Sequence, residues 1–227
     1  MIGSTGKEPI MAVHLIEALE RRRLLNATGF SDTIDNPYMF LSPGMMWLYK
    51  GHKEGVPETD RLVVQSYKRQ IKGVTCMVVL DRVYENGALV EKTHDFFVQD
   101  TKGNVWYMGE QSRDIENGHV VSTEGSWEHG VNGAKGGIIM ETNPAVGDKY
   151  TQEHLAGVAE DEAEVLTLHA HARTPFGAFK NCLQTNETSP LEPDVTESKF
   201  YEKGVGWVKS QSTAGEVEVL KLVLFSG

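Results

Sequence analysis

Cysteine is nearly missing from this chain of 227 residues, which has two, Cys76 and Cys182. Neither has a second Cys or a His at metal-ligand spacing, which argues against a structural zinc site. Basic residues are also scarce. The 22 Lys and Arg against 32 Asp and Glu leave a formal net charge of -10, which argues against nucleic acid as a partner, because that affinity comes from cations neutralising phosphates. No stretch approaches the roughly 18 apolar residues of a membrane-spanning helix, so no integral membrane segment is expected. Phosphate loops and nucleophile elbows are missing too: Lys135-Gly136-Gly137 lacks the Gly-x-x-x-x-Gly-Lys-Ser/Thr pattern, and no Gly-x-Ser-x-Gly occurs. No motif calls for a cofactor.

What the chain does have is turns. Segments 82–90, 100–106 and 113–121 each set a Gly/Asn turn between β-forming residues. Asn86-Gly87 and Asn117-Gly118 suit the tight turn that needs positive φ at both central positions and whose twist matches paired strands. Asp100-Thr101-Lys102-Gly103-Asn104 suits a slightly longer loop. Val74 to Leu80, Ala88 to Val90, Thr93 to Val98 and Val105 to Met108 supply the flanking strands. Segments 82–90 and 113–121 align without a gap, as two tight turns of the same chemistry or as a duplicated hairpin. Further strands are read at 137–140, 148–154, 163–172, 178–185, 205–210 and 216–225. The last is apolar on both faces near its end and is expected to be covered on both sides.

The expected fold is all-β: an antiparallel meander of ten or more strands forming a closed or half-open barrel, lipocalin-like or lipoprotein-carrier-like, with an N-terminal helix. That helix is read from the apolar spacing of residues 10–25. The length suits one sizeable core, so the expected division is an export or accessory helical segment over 1–34 and a single barrel domain over 35–227.

Two resemblances bear on localisation. Residues 19–27, Leu-Glu-Arg-Arg-Arg-Leu-Leu-Asn-Ala, resemble the LEPRxLL segment near the N-termini of many exported proteins in one group of bacteria, departing at Arg21, where that motif has Pro. Asn36-Pro37-Tyr38, Pro43-Gly44 and Trp47-Leu48-Tyr49, with segments 100–110, 124–134 and 189–193, are similar to a family of uncharacterised, mostly exported bacterial proteins, across most of residues 35–209. That resemblance implies a β-barrel-like domain, exported to the periplasm, cell surface or medium, and no established activity. In an oxidising compartment Cys76 and Cys182 are either an inter-strand disulfide or two buried thiols.

Candidate chemistry gathers away from the turns. Glu197, Lys199 and Tyr201 alternate along one strand face; Lys199 and Tyr201, with Glu128 and Glu187, are the catalytic candidates. The assigned roles are Glu128 or Glu187 as base, Lys199 stabilising negative charge and Tyr201 as acid. Trp106, Trp127, Glu153 and Glu197 are the ligand-binding candidates, with Trp47 and Trp207 as further cavity lining. If Phe200 is the inward residue instead, the Glu197/Lys199/Tyr201 stripe is a wet outer face. His169-Ala170-His171 places two imidazoles on one face but lacks a third ligand, and the acidic stretch 160–164 follows no calcium-loop spacing, so no metal site is assigned. The leading expectation is an exported barrel binding a small apolar or amphipathic ligand. The alternatives are a lyase or hydrolase acting on a carbohydrate-like substrate and a structural envelope domain.

Overall fold

The computed structural model describes residues 29–227; the expected N-terminal helix and the LEPRxLL-like segment lie outside them. Among the described residues there are strands and no helix. The strands are β1 (Phe30–Ser31), β2 (Ile34–Asn36), β3 (Met39–Leu41), β4 (Met46–Lys53), β5 (Val56–Ile71), β6 (Val74–Glu85), β7 (Ala88–Asp100), β8 (Val105–Gln111), β9 (Asp114–Glu116) and β10 (His119–Ser122). They continue as β11 (Trp127–Glu128), β12 (Lys135–Met140), β13 (Lys149–Thr151), β14 (Glu153–His154), β15 (Glu162–Arg173), β16 (Ala178–Thr188), β17 (Thr196–Glu202), β18 (Gly206–Ala214) and β19 (Glu218–Ser226).

Turn chemistry drives this meander. Asn86-Gly87 and Asn117-Gly118 have φ of 49°/83° and 50°/80°, the pair of positive angles that the tight hairpin turn demands. Glu54-Gly55 and Lys72-Gly73 adopt the same pair, so two further hairpins turn on a single glycine preceded by a charged residue. In the longer 100–104 loop the Asp100 carboxylate accepts from the Lys102 and Asn104 amides and from Trp106 Nε1, at 2.8, 3.0 and 3.0 Å.

Sequential antiparallel pairing runs from β4 through β8 to β12, and from β15 through β19. β19 then pairs back onto β4, from Glu218↔Lys53 to Ser226↔Met46. Between the two halves the wall changes hands. β13 pairs with β15, and β14, one residue further on, pairs with β12 through only two residue pairs. The result is a barrel that nearly closes, with one unsealed seam.

Ser42-Pro43-Gly44 separates β3 from β4: Pro cannot donate to a ladder and Gly44 has φ 90°. The β2–β3 hairpin thereby leaves the wall and caps one barrel end. Asn36 Nδ2 donates to the carbonyls of Gly103 and Glu141, Gln99 Oε1 accepts from the Asp35 and Asn36 amides, and the Gly204 amide donates to Pro37.

Side-chain alternation separates two cores. Met77 and Val79 of β6 point inward with Phe97, Val105, Leu220 and Leu222, whereas Cys76 and Val78 point outward with Phe96, Val98, Met108 and Trp106. The last strand corrects its expectation. Leu220 and Leu222 are buried, but Val217, just before β19, and Leu224 are 55% and 41% exposed, because among the described residues no second layer covers the outer wall there.

Candidate functional site

Four acids cross the inner wall obliquely, one from each of four neighbouring strands: Asp60 on β5, Asp81 on β6, Asp95 on β7 and Glu110 on β8. Registers bring them together. Asp60 pairs with Val83, two positions from Asp81; Asp81 pairs with Thr93, two positions from Asp95; and Asp95 lies opposite Glu110. A step of two keeps each side chain on the same face.

Their protons follow from that crowding. Burial and the neighbouring carboxylates raise the pKa of Asp60 and Asp81, which hydrogen-bond to each other, as two carboxyls can only across a proton. Burial, then the charge of Asp81, pushes Asp95 up to about 8. Burial, then Asp95, pushes Glu110 up to about 8. The Tyr107 hydroxyl lies 2.7 Å from both Asp95 Oδ1 and Glu110 Oε2. A phenol has one proton to donate, so one of these two carboxyls must bring its own.

Across the lumen sits Lys199, the one cation among the described residues that lines the two cavities described below. Lys199 Nζ is 2.7 Å from Glu187 Oε2 and 3.4 Å from Glu197 Oε2, and the Tyr201 hydroxyl donates to Glu187 Oε1 at 3.2 Å. The barrel encloses Lys199, yet its side chain keeps 29% exposure through the cavities it borders. Burial alone would lower its pKa, but Glu187 and Glu197 outweigh burial and hold it well above the usual lysine value. Beyond it, the Tyr49 and Trp207 rings lie 4.0 Å apart.

Two cavities meet in this lumen. The first, about 210 Å³, is walled by Trp47, Leu62, Val79 and Trp207, capped by residues 38–41, and floored by Asp81, Asp95, Lys199 and Tyr201. The second, about 290 Å³, is lined by Tyr107, Glu110, Gln152, Glu153 and Glu187. Phe97, Ile139 and Lys199 border both.

The sequence candidates divide accordingly. Glu187, Lys199, Tyr201 and Glu197 come together, with Tyr201 turned into the first cavity. Phe200, also buried, packs with the same core, so the stripe is not a wet outer face. Glu153 borders the second cavity and accepts from Trp127 Nε1 at 2.6 Å; Trp127 packs with Ala134 and Ala159, its edge against Tyr107. Glu128 does not join them: it pairs with Arg69 at 2.7 Å, and Arg69 lies over Phe96 of the outer cluster. Trp106 is likewise outside, against Phe30, because its strand position places it on the opposite face from Tyr107. Trp47 and Trp207 take the lining role. His169 and His171 are exposed beside inward Ala170 and Ala172, and no group of three metal-ligating residues occurs among the described residues. Cys76 and Cys182 are free thiols in different clusters, not a disulfide.

No family model and no curated protein matches the chain. Two solved structures are similar to it. One is titled a "putative exported protein with YmcC-like fold" from Bacteroides fragilis: 13% identity, TM-score 0.49, covering 85% of this chain and 100% of that one. The other is titled a "putative lipoprotein" from Parabacteroides distasonis: 13% identity, TM-score 0.39, covering 82% and 96%.

Sequence reasoning missed Asp60, Asp81, Asp95, Tyr107 and Glu110. A signal existed. Met77, Val79 and Asp81, like Phe97 and Asp95, form rows in which an acid extends an inward apolar face, and an acid at such a position is a lumen residue.

Proposed function

We propose that this is an exported β-barrel protein that binds a small apolar or amphipathic molecule in the cavity beneath the β2–β3 cap. The observation that carries the reading is the lining of that cavity: aromatic and aliphatic walls converging on a few polar groups, the usual make-up of a small-molecule site. Its volume, about 210 Å³, falls below the ~300–1,000 Å³ of drug-sized sites, which suits a compact ligand. Export is supported by the sequence resemblances of residues 19–27 and 35–209.

Titration with the neutral apolar fluorophore N-phenyl-1-naphthylamine tests the reading. One-to-one binding with enhanced emission is expected, together with its loss in Leu62→Trp, which adds bulk to the cavity from its apolar wall. Absence of any emission change in the wild-type protein overturns the proposal and favours a structural envelope domain.

A second reading, acid–base chemistry on a carbohydrate-like substrate, is favoured by the convergence of Glu187, Lys199 and Tyr201. In it Glu187 is the base, Tyr201 the acid and Lys199 the electrostatic stabiliser. Polysaccharide turnover that survives both Glu187→Gln and Tyr201→Phe would sink that assignment.

A further inference from the structure

The ligand-binding reading leaves the ligand's charge open, and the floor of the cavity bears on it. Asp81 and Asp95 come from adjacent strands and both line the cavity, with Asp60 directly behind Asp81. Neither Asp60 Oδ1 nor Asp81 Oδ1 receives a hydrogen bond from any lysine, arginine or amide. The Arg82 amide reaches the Asp81 carboxyl, and beyond that the pair is left to a shared proton. Lys199 cannot serve them, because its ammonium is held between Glu187 and Glu197. Any charge these carboxyls develop is therefore negative and has no cation of the floor to answer it, while the walls above are apolar.

We infer that the cavity takes a monocationic amphiphile, a small amine or ammonium compound whose charged group seats between Asp81 and Asp95 and whose apolar body lies against Trp47, Leu62, Val79 and Phe97. This rests on the binding reading and sharpens it. An ammonium does there what the shared proton does in its absence: it gives buried carboxyl oxygens a donor and a counter-charge at once. A carboxylate ligand would meet Asp81 and Asp95 with like charge, and a neutral alcohol would leave both acids to keep their protons. The groups facing the ammonium position are Tyr49 from β4, Asp60 from β5, Glu91 from β7, Tyr107 and Glu110 from β8, and Lys199 and Tyr201 from β17.

Three probes of matched shape test this on the full chain at about pH 8: 2-phenylethylamine, 2-phenylethanol and phenylacetate. Binding is read by calorimetry and by the fluorescence of Trp47 and Trp207. The amine should bind at least about tenfold more tightly than the alcohol, as a buried charge-assisted contact requires, and phenylacetate more weakly than either. Asp81→Asn should remove the amine's advantage over the alcohol, so that the ratio of the two affinities falls to about one. Equal binding of amine and alcohol in the wild-type protein overturns the inference and leaves the binding reading intact. Phenylacetate binding most tightly also overturns it and makes Lys199 the anchor. If none of the three binds, the inference falls, and the naphthylamine titration then decides whether the binding reading falls with it.

Discussion

Lys199 and Glu187 form an ion pair of 2.7 Å inside the barrel wall, with the Glu187 side chain only 11% exposed. Glu197 shares the same ammonium, and Tyr201 donates to the same carboxylate. The lysine is thus the keystone of a group that is otherwise anionic.

Replacing it tests that role. Lys199→Met leaves Glu187 and Glu197 enclosed without a counter-charge, and breaking a fully buried pair from one side costs ~3–5 kcal/mol. Residual exposure of Lys199 reduces this to about 2–4 kcal/mol. Urea denaturation at neutral pH should show the loss. Adding Glu187→Gln should recover part of it, and a double variant no more stable than Lys199→Met would show that the ion pair is not the cause.

The carboxyl row predicts stability that falls as pH rises. Burial pushes Asp95, Glu110 and Glu153 up to about 8 and Glu58 up to about 7, while the same groups in an unfolded chain titrate near 3.9–4.3. Between those values the folded state holds more protons than the unfolded one. The contribution is complete below the unfolded pKa and is lost as pH climbs through the folded pKa. For the enclosed Asp95 the slope is about 1.4 kcal/mol per pH unit. Urea midpoints measured at about pH 5.5 and 8.5 should drop toward the alkaline side, and Asp95→Asn should flatten the drop. A midpoint unchanged or higher at 8.5 contradicts the protonated lumen.

Local chemistry made the hairpins legible: Asn86-Gly87 and Asn117-Gly118 are decided by which residues accept positive φ, and no distant contact is needed. The 16-residue β5 was not legible, since Glu58, Asp60, Lys68, Arg69 and Gln70 dilute its β signal and only pairing with β4 and β6 reveals it. Half of the site was readable for the same reason that half was not. Glu197, Lys199 and Tyr201 share a strand face, so alternation alone groups them. Asp60, Asp81 and Asp95 lie on three strands, and their meeting depends on registers that no single segment encodes. Glu128 and Trp106 show the converse, since a residue beside an inward one points outward and a shift of one position decides which.

The two thiols predict inertness. Cys76 and Cys182 are buried in separate clusters, and burial, followed by the neighbouring carboxylates Glu128 and Glu202 respectively, pushes each up to about 12. The thiolate is the reactive form. Ellman's reagent should therefore label neither in the folded protein and both after denaturation, and electrophoretic mobility should be the same with and without reductant. Mobility that changes on reduction contradicts the assignment.

Barrel closure predicts the most sensitive glycine. Gly51 on β4 faces the β19 ladder so closely that a Cβ there would lie 1.5 Å from the Val219 carbonyl oxygen and 2.7 Å from its carbon. Both partners are backbone, so relief requires the two strands to part along the contact that joins β19 to β4. Gly87 is the natural control: its φ of 83° strains any side chain, but a Cβ would meet nothing within 4 Å. Gly87→Ala is expected to cost about 1 kcal/mol from backbone strain alone. Gly51→Ala should exceed about 4 kcal/mol, the range of an overpacked core, and should loosen β4 and β19 together. Hydrogen exchange separates the cases: amides of both strands should lose protection in Gly51→Ala and keep it in Gly87→Ala. Equal protection in the two variants would mean that β19 and β4 do not carry the closure.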